Sequence, residues 1–275
     1  MDAEIVSTTP ESSENPAVPA GSLVCVAGLG VSGPPVAKTL LSRGVRVVVV
    51  DGRDDDTVRP LAVELTEAGA EVVLGRTPLP EGCDLVVTSP GWRPDSPLLV
   101  RAAEAGVEVI GDVELAWRLK PADQVWLAVT GTNGKTTTVR MLEAMLRADG
   151  RHALAVGNVG TPIVEAVLPD ADGRTHDVLA VELSSFQLHW SSTVRPHAAV
   201  VLNVAPDHLD WHGGLDPYAR AKGKVFARDT IRVVNTDDDW STRLAEEDGD
   251  SHTPLVGLRL GTPRPGEFGV VEDLL

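Results

Sequence analysis

Two cysteines, one tyrosine and three phenylalanines are all that 275 residues provide of those types, and lysine is almost as scarce at five against nineteen arginines. Each scarcity excludes something. Cys25 and Cys83 lie in or beside apolar runs, at a spacing that fits neither a metal site nor a disulfide framework, so they read as buried thiols in a reducing compartment. No apolar run reaches the ~18 residues that a membrane span requires. The opening MDAEIVSTTPESSENPAVPAGS has neither a basic n-region nor an apolar h-region, so no signal peptide is expected. Its Ser, Thr, Pro and Glu content predicts a disordered leader over 1–21. Positive charge is short as well: a formal net charge of −16 argues against a general nucleic-acid or anionic-membrane surface. It does not exclude anionic small ligands, which backbone amides and one or two cations bind inside an acidic protein. The expectation is a cytoplasmic protein. A genome that favours arginine codons accounts for the lysine skew, but the skew still sets a lysine inside a motif apart from surface filler.

What is present is a 43% hydrophobic chain, enough for two cores. From residue 22 short β-branched runs alternate with helical stretches. LVCVAG (23–28), VRVVVVD (45–51), AEVVLG (70–75), DLVVTSPG (84–91) and VEVIG (107–111) read as buried parallel strands. Helices are expected near 34–43, 57–68, 96–105 and 112–119, which makes 22–120 a Rossmann-like βαβ domain. KPADQ (120–124) looks like a linker. A second α/β series occupies 121–275, with strands from 125 and near 152–156, 177–183, 197–203 and 231–235. Its helices are expected over 135–149 and near 160–168 and 216–228, and the last stretch shows no clear closing element.

Two glycine-rich turns carry the chemistry. The first, AGLGVSGPPVAKTLL, places Gly28, Gly30 and Gly33 between a strand and a helix, with Asp51 closing the next strand. This is the layout of a diphosphate lying on a helix N-terminus, and on these residues NAD, FAD and a UDP-linked ligand remain open. TSPGW (88–92) forms another turn at a strand's C-terminal end, the ligand edge of an open α/β sheet, though an ordinary turn would look the same.

The second turn, TGTNGKTT, is a shortened P-loop in which Val129 stands where the longer form has its first glycine. Backbone N–H groups of Gly131, Thr132, Asn133 and Gly134 would cradle phosphates, with Thr137 beside them. Lys135 would reach the β/γ oxygens and the Thr136 hydroxyl would ligate Mg²⁺. A nucleoside triphosphate, ATP, is expected. Glu182 at the end of VLAVE is costly in a buried strand unless it is paired or on a metal. NVAPDHLD adds Asn203, Asp207, His208 and Asp210 after a strand facing the same edge, whereas His189 and His212 lack such support.

GTNGKTT, ELSSFQL, NVAPDHLD and YARAK, in that order, resemble the ATP-dependent Mur ligases of peptidoglycan synthesis, over roughly 22–260. ELSSFQL together with GLGVSG, TSPG and GDVEL is most similar to the members that join D-glutamate to UDP-N-acetylmuramoyl-L-alanine. Sister ligases and folylpolyglutamate synthetases differ after the glutamate. The resemblance implies that the first turn binds UDP-substrate and not NAD. Gly30, Val31 and Ser32 would meet the diphosphate, Asp51 and Arg53 would lie near uridine, and Ser89, Pro90 and Gly91 would line the pocket. It implies that Asn158 of GNVG touches the muramoyl and phosphate region. It also implies that Lys222 is carbamylated and joins His208 on a second Mg²⁺, with Thr136 and Glu182 serving the first. Lys135, Lys222, His208 and Asn158 would be the catalytic set. The expected partners are UDP-N-acetylmuramoyl-L-alanine, D-glutamate and ATP, with no nucleic acid or membrane, and the protein acting as a monomer. The family's third domain, which closes over ATP and supplies most of the D-glutamate site, is expected to lie outside these residues, so ligation by them alone is not expected. A sister ligase for another amino acid and a non-catalytic NAD and ATP sensor are the rival readings.

Overall fold

The computed structural model describes residues 18–272 except 171, 248, 250 and 251. The expected leader therefore lies mostly outside the described residues. Its last four are placed, with Val18 packed on the core and the Gly21 N–H donating to the Gly44 carbonyl at 2.9 Å.

The first sheet comprises β1 (Leu23–Ala27), β2 (Arg46–Asp51), β3 (Glu71–Leu74), β4 (Leu85–Thr88) and β5 (Glu108–Gly111), in the order β3-β2-β1-β4-β5 and parallel throughout. Helices α1 (Gly33–Ser42), α2 (Arg59–Glu67), α3 (Pro97–Glu104) and α4 (Asp112–Leu119) connect or follow its strands. Near-continuous Val and Leu runs suit strands covered on both faces. Prolines open α1, α2 and α3, where the missing N–H would have no intrahelical partner anyway.

The second sheet is built from β6 (Val125–Thr130), β7 (Ala153–Gly157), β8 (Val178–Glu182), β9 (Ala198–Val201), β10 (Ile231–Asn235), β11 (Leu255–Arg259) and β12 (Glu267–Gly269). Its order is β12-β11-β10-β9-β6-β8-β7, again parallel. Around it lie α5 (Lys135–Ala148), α6 (Ile163–Ala166), α7 (Ser185–His189), α8 (Leu209–His212), α9 (Leu215–Gly223) and α10 (Asp239–Glu247).

Some elements differ from the sequence expectation. The helix expected over 160–168 shrinks to α6 because Pro162 caps it and Pro169 follows it. The one expected over 216–228 ends at Gly223. Helices α7, α8 and α10 and strands β11 and β12 are additional, and β12 falls in the stretch without an expected element.

A large apolar cluster runs from the first sheet into the second: Val26, Val36 and Leu40 share it with Leu115, Trp126, Ile163 and Leu179. Polar bonds reinforce this junction. Glu114 on α4 is fully buried and accepts from the Ser192 and Thr193 N–H groups at 2.9 and 3.0 Å. Arg118, which also pairs with Glu108, donates to Glu114 at 3.1 Å, and the Gly111 N–H donates to the Trp190 carbonyl at 3.0 Å. Both cysteines are free and buried, and burial, assisted by Cys83, pushes the Cys25 thiol up to about 12.

Candidate active site

The first glycine turn joins β1 to α1. Gly28 has φ 103°, a left-handed conformation, and a side chain there would press on Trp92 and Ser89. The Leu29 N–H donates to Asp51 Oδ2 at 2.7 Å, so the acid at the end of β2 braces the turn. Arg53 donates to the same carboxylate through its backbone N–H at 2.8 Å, Nε at 3.0 Å and Nη2 at 2.7 Å. Burial pushes Asp51 upward, but the bonds from Arg53 and Leu29 outweigh it and hold the carboxyl below its ordinary value. Gly30 faces open space and Val31 is 87% exposed. Ser32 caps α1, with its Oγ 2.8 Å from Asp112 Oδ2. Ser89 Oγ is buried without a hydrogen-bond partner among the described residues, while Pro90 is half-buried and Gly91 exposed beside it. The turn and the 89–91 segment thus share the C-terminal edge of β1, β2 and β4.

The second turn joins β6 to α5. Gly131 has φ 150°, and an added Cβ would lie 3.1 Å from Leu202 Cβ and 3.3 Å from the Asn203 backbone. Gly134, at φ 86°, is the N-cap of α5. The turn is sewn to the segment after β9. The Thr132 N–H donates to the Asn203 carbonyl at 2.9 Å, and the Asn133 N–H to Asn203 Oδ1 at 2.9 Å. Lys135 donates to the Gly131 and Thr132 carbonyls at 2.9 and 3.0 Å. Thr136 Oγ1 donates to Glu182 Oε2 at 2.8 Å, and Asn158 Nδ2 to Oε1 at 3.2 Å. Glu182, at the end of β8, is buried, and both of these side-chain donors are neutral. A buried carboxylate with neutral partners suits a cation. Thr137 lies exposed on the first turn of α5.

Lys222 is brought to the same place from α9. It is 2% exposed, its Nζ donates to the Gly131 carbonyl at 2.9 Å, and it lies 4.6 Å from the Tyr218 ring centre. Burial, then repulsion from Lys135, lowers its pKa to about 7, against an opposing pull from Asp207. His208 caps α8 in a left-handed conformation, φ 50°, with Nε2 3.4 Å from Asp207 Oδ2 and its ring 6.5 Å from that of Tyr218. Asp210 lies on α8, its carbonyl 3.4 Å from Arg93 Nη1. Among the described residues no group of three or more His, Cys, Asp and Glu forms a ready metal cage. The oxygen donors that meet beside the turn are the Thr136 hydroxyl and the Glu182 carboxylate.

Sequence reasoning passed over three contributors. Tyr218 OH lies 3.0 Å from Thr132 Oγ1, His212 Nε2 lies 2.9 Å from Ser185 Oγ, and Asp112 holds Ser32. Tyr218 stands four residues before Lys222, a helical spacing that could have flagged it.

A phosphate-type turn, a buried glutamate and a buried lysine now stand on one edge of the second sheet, with a separate glycine turn on the first. Residues 22–111 match the family model of the Mur ligase MurD-like N-terminal domain, and residues 129–260 that of the Mur ligase middle domain. The chain belongs to the Mur ligases. Among curated Mur ligases, a UDP-N-acetylmuramoylalanine–D-glutamate ligase of Thermobifida fusca is 70% identical over 256 residues, covering 93% of this chain and 55% of the relative. One of the same name from Streptomyces avermitilis is 51% identical over 259 residues, with the same coverage. The chain thus spans about half the length of the curated relatives it matches. The crystal structure of a UDP-N-acetylmuramate:L-alanyl-gamma-D-glutamyl-meso-diaminopimelate ligase from Neisseria meningitides shares the fold. It has a TM-score of 0.58 and 19% identity, over 89% of this chain and 82% of that one. No described helix is long and apolar enough to cross a membrane.

Proposed function

We propose that this chain supplies the UDP-substrate and ATP sites of a cytoplasmic enzyme that ligates D-glutamate to UDP-N-acetylmuramoyl-L-alanine. The observation that carries the reading is the meeting of Lys135, Thr136, Glu182 and Lys222 around one P-loop turn, in a chain 70% identical to a ligase of that name. ATP would transfer its γ-phosphoryl group to the L-alanine carboxylate, giving an acyl phosphate. The D-glutamate amine would attack that carbonyl, and phosphate would leave.

Both partners of the first step are anionic, so this chain's contribution is charge compensation and alignment. The N–H groups of 131–134 would hold the phosphates, those of Thr132 and Asn133 by exchanging their present bonds to Asn203. Lys135 exchanges its present carbonyl partners for the β/γ oxygens. Thr136 and Glu182 would hold one Mg²⁺, and His208 with a carbamylated Lys222 a second; bound there, Mg²⁺ neutralises phosphate charge. Carbamylation adds the Lys222 amine to CO₂ and releases one proton. A lysine whose pKa burial lowers to about 7 supports it, since a large share is then the free base, which is the nucleophile. Asn158 would steady Glu182 and meet the muramoyl end of the substrate. On the first sheet, Gly30, Val31 and Ser32 would hold the diphosphate. Asp51 and Arg53 would border uridine, and Ser89, whose buried hydroxyl lacks a partner among the described residues, would turn with Pro90 and Gly91 toward the ligand.

Calorimetric titration of this chain with UDP-N-acetylmuramoyl-L-alanine, NAD and ATP tests the proposal. The muramoyl nucleotide and ATP bind and NAD does not. Binding of NAD in place of the muramoyl nucleotide would sink it. Lys135→Ala weakens ATP binding by roughly tenfold or more, as expected for loss of a charge-assisted contact, and leaves the muramoyl nucleotide's affinity unchanged.

A further inference from the structure

The GDVEL segment is left unused by the proposed chemistry, yet both of its acids are buried. Glu114 is accounted for by the junction between the sheets. Asp112 faces the other way, behind the first glycine turn. Its Oδ2 lies 2.8 Å from Ser32 Oγ and its Oδ1 accepts the Val113 N–H at 3.0 Å. Neither partner is charged. Burial drives the Asp112 carboxyl above the ordinary carboxylate range, against the opposing pull of Ser32 and Val113. A carboxylate buried without a cation is costly, whereas the neutral acid is not.

The protonation state of this acid decides what Ser32 offers to a ligand. A serine hydroxyl has one proton to donate and lone pairs to accept with. Beside an ionised Asp112, Ser32 spends its proton on Oδ2 and turns only lone pairs toward the open side of the turn. Lone pairs repel an anionic oxygen. Beside a protonated Asp112, the acid's O–H donates into a Ser32 lone pair, and the serine proton is free to point outward. The O···O contact is the same in both cases. Only the second arrangement adds a donor to the turn, and it also keeps a negative charge away from a diphosphate.

We propose that Asp112 is a positioning residue of the first glycine turn: as a neutral acid it donates to Ser32 Oγ and aims the serine hydroxyl at an anionic oxygen of the diphosphate. The inference rests on the reading of that turn as the UDP-substrate site. It predicts that an amide at position 112 works, since Asn can donate through Nδ2 to Ser32 and accept the Val113 N–H through Oδ1.

The test is calorimetric titration of UDP-N-acetylmuramoyl-L-alanine into the wild-type chain and into Asp112→Asn, Asp112→Leu and Ser32→Ala. Asp112→Asn stays within about threefold of wild type, while Asp112→Leu and Ser32→Ala each lose roughly tenfold, the range expected for one hydrogen bond to a charged group. The Ser32→Ala/Asp112→Leu double variant is no weaker than Ser32→Ala, because both changes remove the same donor. An Asp112→Asn variant as weak as Ser32→Ala overturns the inference and leaves the site reading intact. A folded Asp112→Leu that binds like wild type overturns it too, and if that variant does not fold, Asp112→Asn against Ser32→Ala decides. A wild-type chain that does not bind the muramoyl nucleotide removes the site reading, and the inference with it.

Discussion

At the scale of single residues, two ammonium groups share one acceptor: Lys135 and Lys222 both donate to the Gly131 carbonyl. Such a pair favours loss of one proton, and burial selects Lys222 as the one that yields it. Incubation with ¹³C-labelled bicarbonate is expected to give a protein-bound carbamate carbon signal that is absent from Lys222→Met. A signal of equal intensity in the variant would move the modification elsewhere. His212 behaves in the same sense. Burial, then the neighbouring His189, Lys222 and His208, lowers its pKa to about 4 from an ordinary 6.5. The unfolded chain therefore takes up a proton at His212 near pH 6.5, and the folded chain only near pH 4. Stability that is complete above pH 6.5 falls as the pH drops through that window. The drop in Tm between pH 7 and pH 5 is expected to be smaller in His212→Phe, whatever its absolute Tm. A steeper drop would contradict the assignment.

At the scale of elements, α4 links the two halves through Glu114. Its fully buried carboxylate meets Arg118 on its own helix and two N–H groups of the 192–193 segment. Removing the carboxylate takes the acceptor from both N–H groups and one partner from Arg118, which keeps Glu108. Glu114→Ala is expected to cost about 3 kcal/mol, the scale for breaking a buried pair, read as a lower urea midpoint at unchanged slope. A variant within 0.5 kcal/mol of wild type would mean that water or relaxation replaces the bonds, since about that much is typical of surface substitutions. The α7 turn shows how local chemistry sets an element too short for periodicity to reveal. Ser184 accepts from the Gln187 N–H while the Gln187 side chain accepts from the Ser184 N–H, a capping box that fixes the helix start just after Glu182.

At the scale of the whole molecule, one apolar cluster joins α1 and α4 of the first half to α6 and β8 of the second. Shared burial of this kind couples unfolding. Calorimetric melting is expected to show one transition, and a saturating ligand at either turn should raise it, by about 2.7 kcal/mol at a hundredfold excess over Kd. Two separable transitions, each moved by its own ligand, would refute the coupling. Much of this architecture was legible in the sequence: the alternating runs predicted parallel strands, the glycines marked both turns, and Thr136 and Glu182 meet beside the turn that Lys135 bonds. Those signals are local, since β-branched runs, N1 prolines and positive-φ glycines act within a few residues. The burial of Lys222 against Gly131, the pairing of Ser32 with Asp112 and the Glu114 junction were decided only by the tertiary structure. Each depends on residues between about 80 and 90 positions apart, Ser32 with Asp112, Glu114 with Ser192 and Gly131 with Lys222. A lysine on a helix or an acid after a strand looks the same in sequence whether it faces water or another strand's end. Only the packing of the two sheets determines which of them loses its water.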